Sequence, residues 1–238
     1  MTQAMAFDIG ILVNYWPEIA RGFLLTLMIT VGALVVGLPL GVGLAFGKQA
    51  RTAAMRWPAV TFIEVIRNTP FMIQVYMVFY VLPFYGVRMP SWLVGIVSLG
   101  MFGSVYYAEI IRAGIESVPR GQMEAARATG MSYARGMRHI VLPQTLGFVL
   151  PPTANQTLSL VKESAVLSTI TVSEMTYTAL RIQGETFSPF EAFLMIAALY
   201  WLLNEAIATV IRRLERRSGR PWSHPVERKR AAAPSLRW

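Results

Sequence analysis

A chain of 238 residues that is 54% hydrophobic and only 15% charged does not suit one or two soluble domains, which carry about 25% charged residues. It has no cysteine, which excludes disulfides, thiolate zinc sites and a cysteine nucleophile, and with two histidines and no clustered carboxylates no metal centre is expected. The formal net charge is +9.

In chain order, the N-terminal stretch MTQAMAFDIGILVNYWPEIARGF lacks a positive n-region and a cleavage site, so it does not read as a signal peptide. Asp8, Trp16 and Glu18 suit a short interfacial segment. Uncharged runs then follow, with 26 residues between Arg21 and Lys48, 20 between Arg67 and Arg88, 20 between Arg88 and Glu109, and 22 between His139 and Lys162. A helix crosses a bilayer in about 20 apolar residues, so these are four candidate spans. A fifth, Phe190 to Ile211, is long enough and holds Glu205 near one end.

The first span pairs Gly37 with Gly41 and Gly43 with Gly47, a spacing that lets helices approach closely in lipid, and Pro39 is expected to kink it. The second opens with FIEVIRNTPFMIQVYMVFY, where Glu64 and Arg67 are placed to neutralise each other. Gln74, seven beyond Arg67, falls on the same helical face. That face reads either as an interfacial ion pair plus one interhelical hydrogen bond, or as a wall of a polar pathway. The third span ends with Glu109, Arg112 and Glu116 as an ion-paired stripe. Tyr106 and Tyr107, a turn deeper, suit membrane-interface aromatics as well as ligand contacts. In the fourth, Pro143 and Pro151-Pro152 predict a broken helix. Beyond the break, Gln156, Ser159 and Glu163, together with Asn155 and Lys162, form a polar stripe. A charge at mid-membrane costs about 2.5–3.5 kcal/mol, so the stripe is expected to face water or a charged ligand.

Five spans place the termini on opposite sides. An inside C-terminus gathers 17 of the 22 basic residues into 47–57, 110–139 and 212–238, which sets N-out and C-in. The tail from Arg212 has nine basic and two acidic residues, and attraction to anionic lipid explains it better than a nucleic-acid arm.

Within the loop 117–138, Glu124-Ala125-Ala126, three residues, Gly130, nine residues, Ile140 and Leu142-Pro143 give EAA-x3-G-x9-I-x-LP. Ser117 and Pro119 supply a helix start, Gly130 a left-handed stop, and Ser132 a cap for a second short helix. Ala125, Ala126 and Ala128 make a low-relief side, and Glu124 can pair with Arg120 or Arg127. The pattern resembles the EAA motif in permease subunits of binding-protein-dependent ABC importers. IRNTPFMIQ, YYAEIIRAGIESVPRGQMEAARATGMS and VKESAVLSTITVSEM are similar to blocks of the polar amino acid permeases, and the likeness runs from about Arg21 to Arg213. Asn68 stands where a glycine is common, and Glu163-Ser164-Ala165 where Asp-Thr-Ser is usual.

The resemblance implies an all-α integral membrane fold of the type I importer kind. It would be a single permease domain over 1–212, with a cytoplasmic coupling helix between spans 3 and 4 and a basic tail over 213–238. It implies a multi-pass protein of the bacterial inner membrane, forming half of a transmembrane dimer with an identical or paralogous chain. The partners would be an external amino-acid-binding protein and cytoplasmic ATPase subunits that hold ATP and magnesium. This chain lacks GxxxxGK[ST] and is expected to be non-catalytic and free of cofactor. Glu124, Ala125, Ala126 and Gly130 would couple to the ATPase, and Gln74, Tyr107, Gln156, Ser159, Glu163 and Ser164 would line the substrate path. The rival readings are an ATP-independent secondary transporter or small channel and a membrane scaffold. No internal repeat of the kind secondary transporters show is found.

Overall fold

The computed structural model describes residues 8–217, with side chains to residue 213, and every regular element among them is helical. A short helix α1 (Ile9–Asn14) is capped by Asp8, whose carboxylate accepts the Gly10 N–H at 2.8 Å. α2 (Trp16–Lys48) follows at once, with Pro17 near its start, Glu18 in its first turn and Lys48 in its last. Those end charges complement the helix dipole. α2 runs on through Pro39.

After α3 (Ala53–Asn68), the expectation of one helical face running from Arg67 to Gln74 fails. The chain bends by 111° before the next helical stretch, Phe71–Tyr85, made of α4 (Phe71–Tyr76), a π-helical turn (Met77–Val81) and a 3-10 turn (Leu82–Tyr85). The cause is Pro70, which excludes the helical region for the residue before it and leaves Thr69 extended at φ −107°, ψ 132°. The carbonyls freed by the bend are met locally, because Gln74 Nε2 donates to Ile66 O and Thr69 O, both at 2.8 Å. Gln74 is 8% exposed and therefore holds the bend rather than continuing the Arg67 face. Glu64 does not pair with Arg67 either; it accepts from Asn68 Nδ2 at 3.1 Å.

α5 (Ser91–Glu116) packs along α2 in the most extensive helix contact among the described residues. The glycines make this possible. A Cβ on Gly37 would lie 2.9 Å from Gly100 O, and one on Gly41 would lie 2.7 Å from Tyr107 Cβ and 2.8 Å from Ser104 O. The expected Gly37/Gly41 pair is thus an intramolecular seam. Gly41→Val should destabilise the folded protein by about 1–3 kcal/mol or more through overpacking against backbone. Gly43→Ala, where nothing lies within 4 Å, should leave the melting temperature of the detergent-solubilised protein unchanged.

A loop carries α6 (Arg120–Ala128) and α7 (Tyr133–Gly136), and a π-helical turn (Met137–Val141) leads into α8 (Leu142–Glu163). Contrary to expectation, α8 is not broken at Pro151-Pro152; both prolines sit inside it. Each removes one amide donor from the ladder without ending the helix, which membrane helices tolerate. The tightening comes later, at Ser164–Ile170, a 3-10 segment closed by Thr171 at φ +59°. Next come α9 (Met175–Thr186) and α10 (Pro189–Arg217), joined at Phe187, also at positive φ.

The N-cap of α9 is a fully buried carboxylate that sequence reading missed. Glu174 accepts the N–H groups of Tyr177 and Thr176 at 2.8 and 2.9 Å and the Tyr200 hydroxyl at 2.8 Å, fastening α9 to α10. An acidic residue before Met-Thr-Tyr is a capping signal, but its burial depends on α10 returning beside it.

Three helices, Trp16–Lys48, Ser91–Glu116 and Pro189–Arg213, are long and apolar enough to cross a membrane, and the bent pair makes a fourth if taken as one span. α8 spans 22 residues, but its prolines, amides and hydroxyls keep it outside that group. Most of the expected basic tail, 214–238, lies outside the residues described by side chain.

Candidate functional site

Polar side chains converge along one side of α5. A cavity of about 320 Å³ is lined by Arg67 from α3, by Tyr106, Glu109 and Ile110 from α5, and by Pro152, Asn155, Gln156 and Ser159 from α8. A second, of about 410 Å³, continues toward the end that bears α6, between Glu109, Ile110, Arg112, Ala113, Gly114 and Ser117 of α5 and the adjoining turn, and Phe148 and Pro152 of α8. The 3.6-residue period of α8 explains why Pro152, Asn155, Gln156 and Ser159 share a face.

Glu109 stands at the junction of the two cavities. The expected stripe on α5 forms, with Arg112 Nε 3.0 Å from Glu109 and Arg112 Nη1 2.6 Å from Glu116. Lys48, at the end of α2, adds an unforeseen contact at 2.6 Å to the other Glu109 oxygen. Glu109 therefore faces the cavity already balanced by two cations. Arg67 is different. It is exposed on this chain and makes no ion pair among the described residues, so it is the uncompensated charge of the groove.

The residues expected to line a path divide into three groups. Gln156 and Ser159 line the cavity. Gln74, Tyr107 and Ser164 are held in packing. Tyr107 is fully buried with its hydroxyl 3.2 Å from Thr157 Oγ1, and Ser164 Oγ donates to Val161 O at 2.7 Å where α8 tightens. Glu163 is half-buried and Lys162 exposed, and neither touches the two cavities. Tyr106, not Tyr107, reaches the groove, since consecutive helical positions diverge by about 100°. Tyr107→Phe is thus expected to cost only about 0.5–1.5 kcal/mol of stability and to leave the cavity's chemistry intact, which a melting curve and a ligand titration would separate.

A third cavity, of about 250 Å³, lies at the far end of α2, among Glu18, Arg21, Ser173, Tyr177, Thr178 and Arg181. Arg181 is already committed there, 3.6 Å from Glu18 and 3.3 Å from Glu185. Among the described residues no group of His, Asp and Glu is arranged to hold a metal ion.

The loop bearing α6 and α7 is the other chemically distinct feature. Helix α6 ends as its sequence suggests. The Gly130 N–H donates to Arg127 O at 3.0 Å, the Met131 N–H to Ala126 O at 3.1 Å, and Gly130 takes φ +84°. This 5→2 and 6→1 pairing is a Schellman end, which needs a left-handed residue at that position. Ser132 caps α7 by accepting from the Arg135 N–H at 3.4 Å. Ser117 does not cap α6; its hydroxyl donates to Gly114 O at 2.7 Å and finishes α5. The alanines also split. Ala126 is buried against Gly136 of α7, whereas Glu124, Ala125 and Ala128 remain exposed. Glu124, Arg120 and Arg127 form no ion pair among the described residues, so the face they share is unoccupied by this chain.

Among the described residues every regular element is helical, and three or four spans are long and apolar enough to cross a membrane, which defines the class as an integral membrane protein. The family model described as "binding-protein-dependent transport system inner membrane component" matches residues 37–220, and the chain belongs to that family. It is 34% identical over 210 residues to the probable glutamine ABC transporter permease protein GlnM of Bacillus subtilis (strain 168), covering 88% of this chain and 97% of that one. It is 33% identical over 243 residues to the octopine transport system permease protein OccM of Rhizobium radiobacter, covering 94% and 98%. Among solved structures, the amino acid ABC transporter crystallised with histidines matches with a TM-score of 0.83 at 35% identity, over 90% of this chain and 100% of that one. The MetNI methionine ABC transporter shares the fold, with a TM-score of 0.65 at 21% identity over 91% and 99%. The protein is therefore a multi-pass permease subunit of an ABC importer in the inner membrane, and is not itself the ATPase.

Proposed function

We propose that this chain forms one half of the translocation path for a polar amino acid, working as an identical or paralogous pair. It lies N-out and C-in with five spans, α3 plus its bent continuation forming the second and α8 the fourth. An extracytoplasmic amino-acid-binding protein delivers substrate, and cytoplasmic ATPase subunits, which hold ATP and magnesium, grip the exposed Glu124–Ala125–Ala128 face and the Gly130 turn.

The observation that carries this reading is the open groove between α3, α5 and α8. A polar wall exposed along the side of an otherwise apolar bundle would be costly against lipid, so it requires a second subunit or water to cover it. Its chemistry suits an amino acid: a free guanidinium for the carboxylate, with amide and hydroxyl groups on α8 for a polar side chain. The relatives named for glutamine and octopine transport support the substrate class.

The motion follows from the same parts. Closure of the ATPases on ATP would carry α6 and α7 with them and turn the groove outward; hydrolysis would let it face inward again. The reading is tested by reconstituting the complete transporter in proteoliposomes with its binding protein. Uptake should require internal ATP, persist when an uncoupler collapses the proton gradient, and stop with vanadate. Uptake that followed the gradient with ATP held constant would establish the secondary-transporter alternative.

A further inference from the structure

The two cavities beside α5 share three lining residues, Glu109, Ile110 and Pro152. Those residues are a neck between two chambers. On one side lies the polar chamber with Arg67, Gln156 and Ser159; on the other, a chamber reaching Gly114 and Ser117 at the end that bears α6.

The two walls of the neck differ mechanically. The α5 wall is fixed. Its backbone is locked to α2 through the Gly37 and Gly41 contacts, and Glu109 is held from two sides by Lys48 and Arg112. The α8 wall is soft at this level. Pro151 and Pro152 take two consecutive amide donors out of the hydrogen-bond ladder within the helix, and paired prolines are where long helices bend.

Inward of the prolines, α8 lies close on α5. A Cβ on Gly114 would come within 2.4 Å of Val149 Cγ2 and 3.2 Å of Thr145 Cγ2. That inner stretch is continuous with α7 through the π-helical turn Met137–Val141, and Gly136 seats α7 on Met123 and Ala126 of α6. A pull on α6 therefore reaches the inner half of α8 without passing through a flexible linker.

We propose that the inner stretch of α8, closed on Gly114 of α5 through Val149 and Thr145, is the inner gate of the path, and that Pro151-Pro152 is the hinge on which residues 142–150 swing away from α5 to open it. This inference rests on the groove being the substrate path. When closed, the gate is a methyl contact of Val149 and Thr145 over Gly114, a barrier to water and to a charged solute without any bond to break. Opening costs the contact at Gly114 and nothing in the α2–α5 seam. The helix pair α6–α7 is the lever.

The absence of cysteine makes a direct test possible, because introduced thiols are the only ones in this chain. Ala113→Cys on α5 and Phe148→Cys on α8 put both thiols in the lining of the inner chamber. The double variant, in the complete reconstituted transporter, is joined by a short bifunctional methanethiosulfonate and followed with a radiolabelled mixture of L-amino acids. Cross-linking should lower uptake about tenfold or more, as locking one state of a two-state element must, and reductant should restore it. Full uptake, with mass spectrometry showing the link complete, overturns the hinge. Ile110→Trp supplies the separate control: it should plug the neck and block uptake whether or not the hinge moves. If Ile110→Trp blocks transport but the cross-link does not, the path stands and the hinge fails. If Ile110→Trp and Arg67→Ala both transport normally, the groove is not the path and the gate falls with it.

Discussion

Gly130→Val should lower ATP-driven uptake about tenfold or more while the transporter still assembles, whereas Gly130→Asn keeps most of it. The reason is conformational, not steric. Gly130 sits at φ +84°, and a Cβ there would meet nothing within 4 Å of this chain. Holding an L-residue in the left-handed region costs about 1–2 kcal/mol, and a β-branched one is the least tolerated, whereas asparagine visits that region readily. Since 1.4 kcal/mol is about a factor of ten, valine would shift the turn out of its native form and release the Gly130 and Met131 amides that close α6. α6 and α7 would lose their fixed angle, and with it the transmission to α8. The measurement is binding-protein-stimulated ATP hydrolysis alongside uptake, with recovery of the intact complex as the assembly check. Equal loss in valine and asparagine variants would mean that a partner packs directly on Gly130 and that volume, not φ, is decisive. No loss in either would remove the coupling role from this loop.

Arg67→Ala should raise the substrate concentration needed for half-maximal uptake by about ten- to hundredfold. A hydrogen bond to a charged group contributes about 1.5–3 kcal/mol, and Arg67 is the groove's one cation without an ionic partner among the described residues. Because it is exposed and unpaired, its removal should hardly move the melting temperature, so the loss is read as recognition. Arg67→Lys should recover part of the affinity by charge alone but not the two-pronged geometry of a guanidinium on a carboxylate. By contrast, Gln74→Leu should destabilise the protein, since Ile66 O and Thr69 O would lose their donor at the bend. Unaltered uptake in Arg67→Ala would direct attention to Glu163 and Lys162 instead.

The difference between these residues shows where reading the chain alone succeeds. Gly130 was legible because its role is local: a glycine after an alanine-rich helical run specifies a left-handed stop whatever lies around it. Ser132, capping its own next turn, was legible for the same reason, as was the Glu109–Arg112–Glu116 stripe, whose members share one helix face. Gln74 was misplaced because its face was projected along a helix that Pro70 ends. Pro151-Pro152 misled in the opposite sense: proline removes a donor, but whether the helix breaks depends on what packs beside it. Tyr106 and Tyr107 could not be ranked until α8 lay against α5, and the Lys48–Glu109 contact joins residues 61 positions apart.

Sequence by itself therefore determined the solvent, the class and the family: runs of apolar residues admit only a bilayer, and the spaced EAA pattern names the transport system. It also determined the ends of the helical loop, since caps and left-handed turns are fixed by residues within one turn. Only the tertiary structure decided which polar groups share a groove, which are held in packing and where two chambers meet. Those are relations between helices, set by the glycine seam that presses α5 onto α2 and by the placement of α3, whose Arg67 lines the same cavity as Asn155, Gln156 and Ser159 of α8.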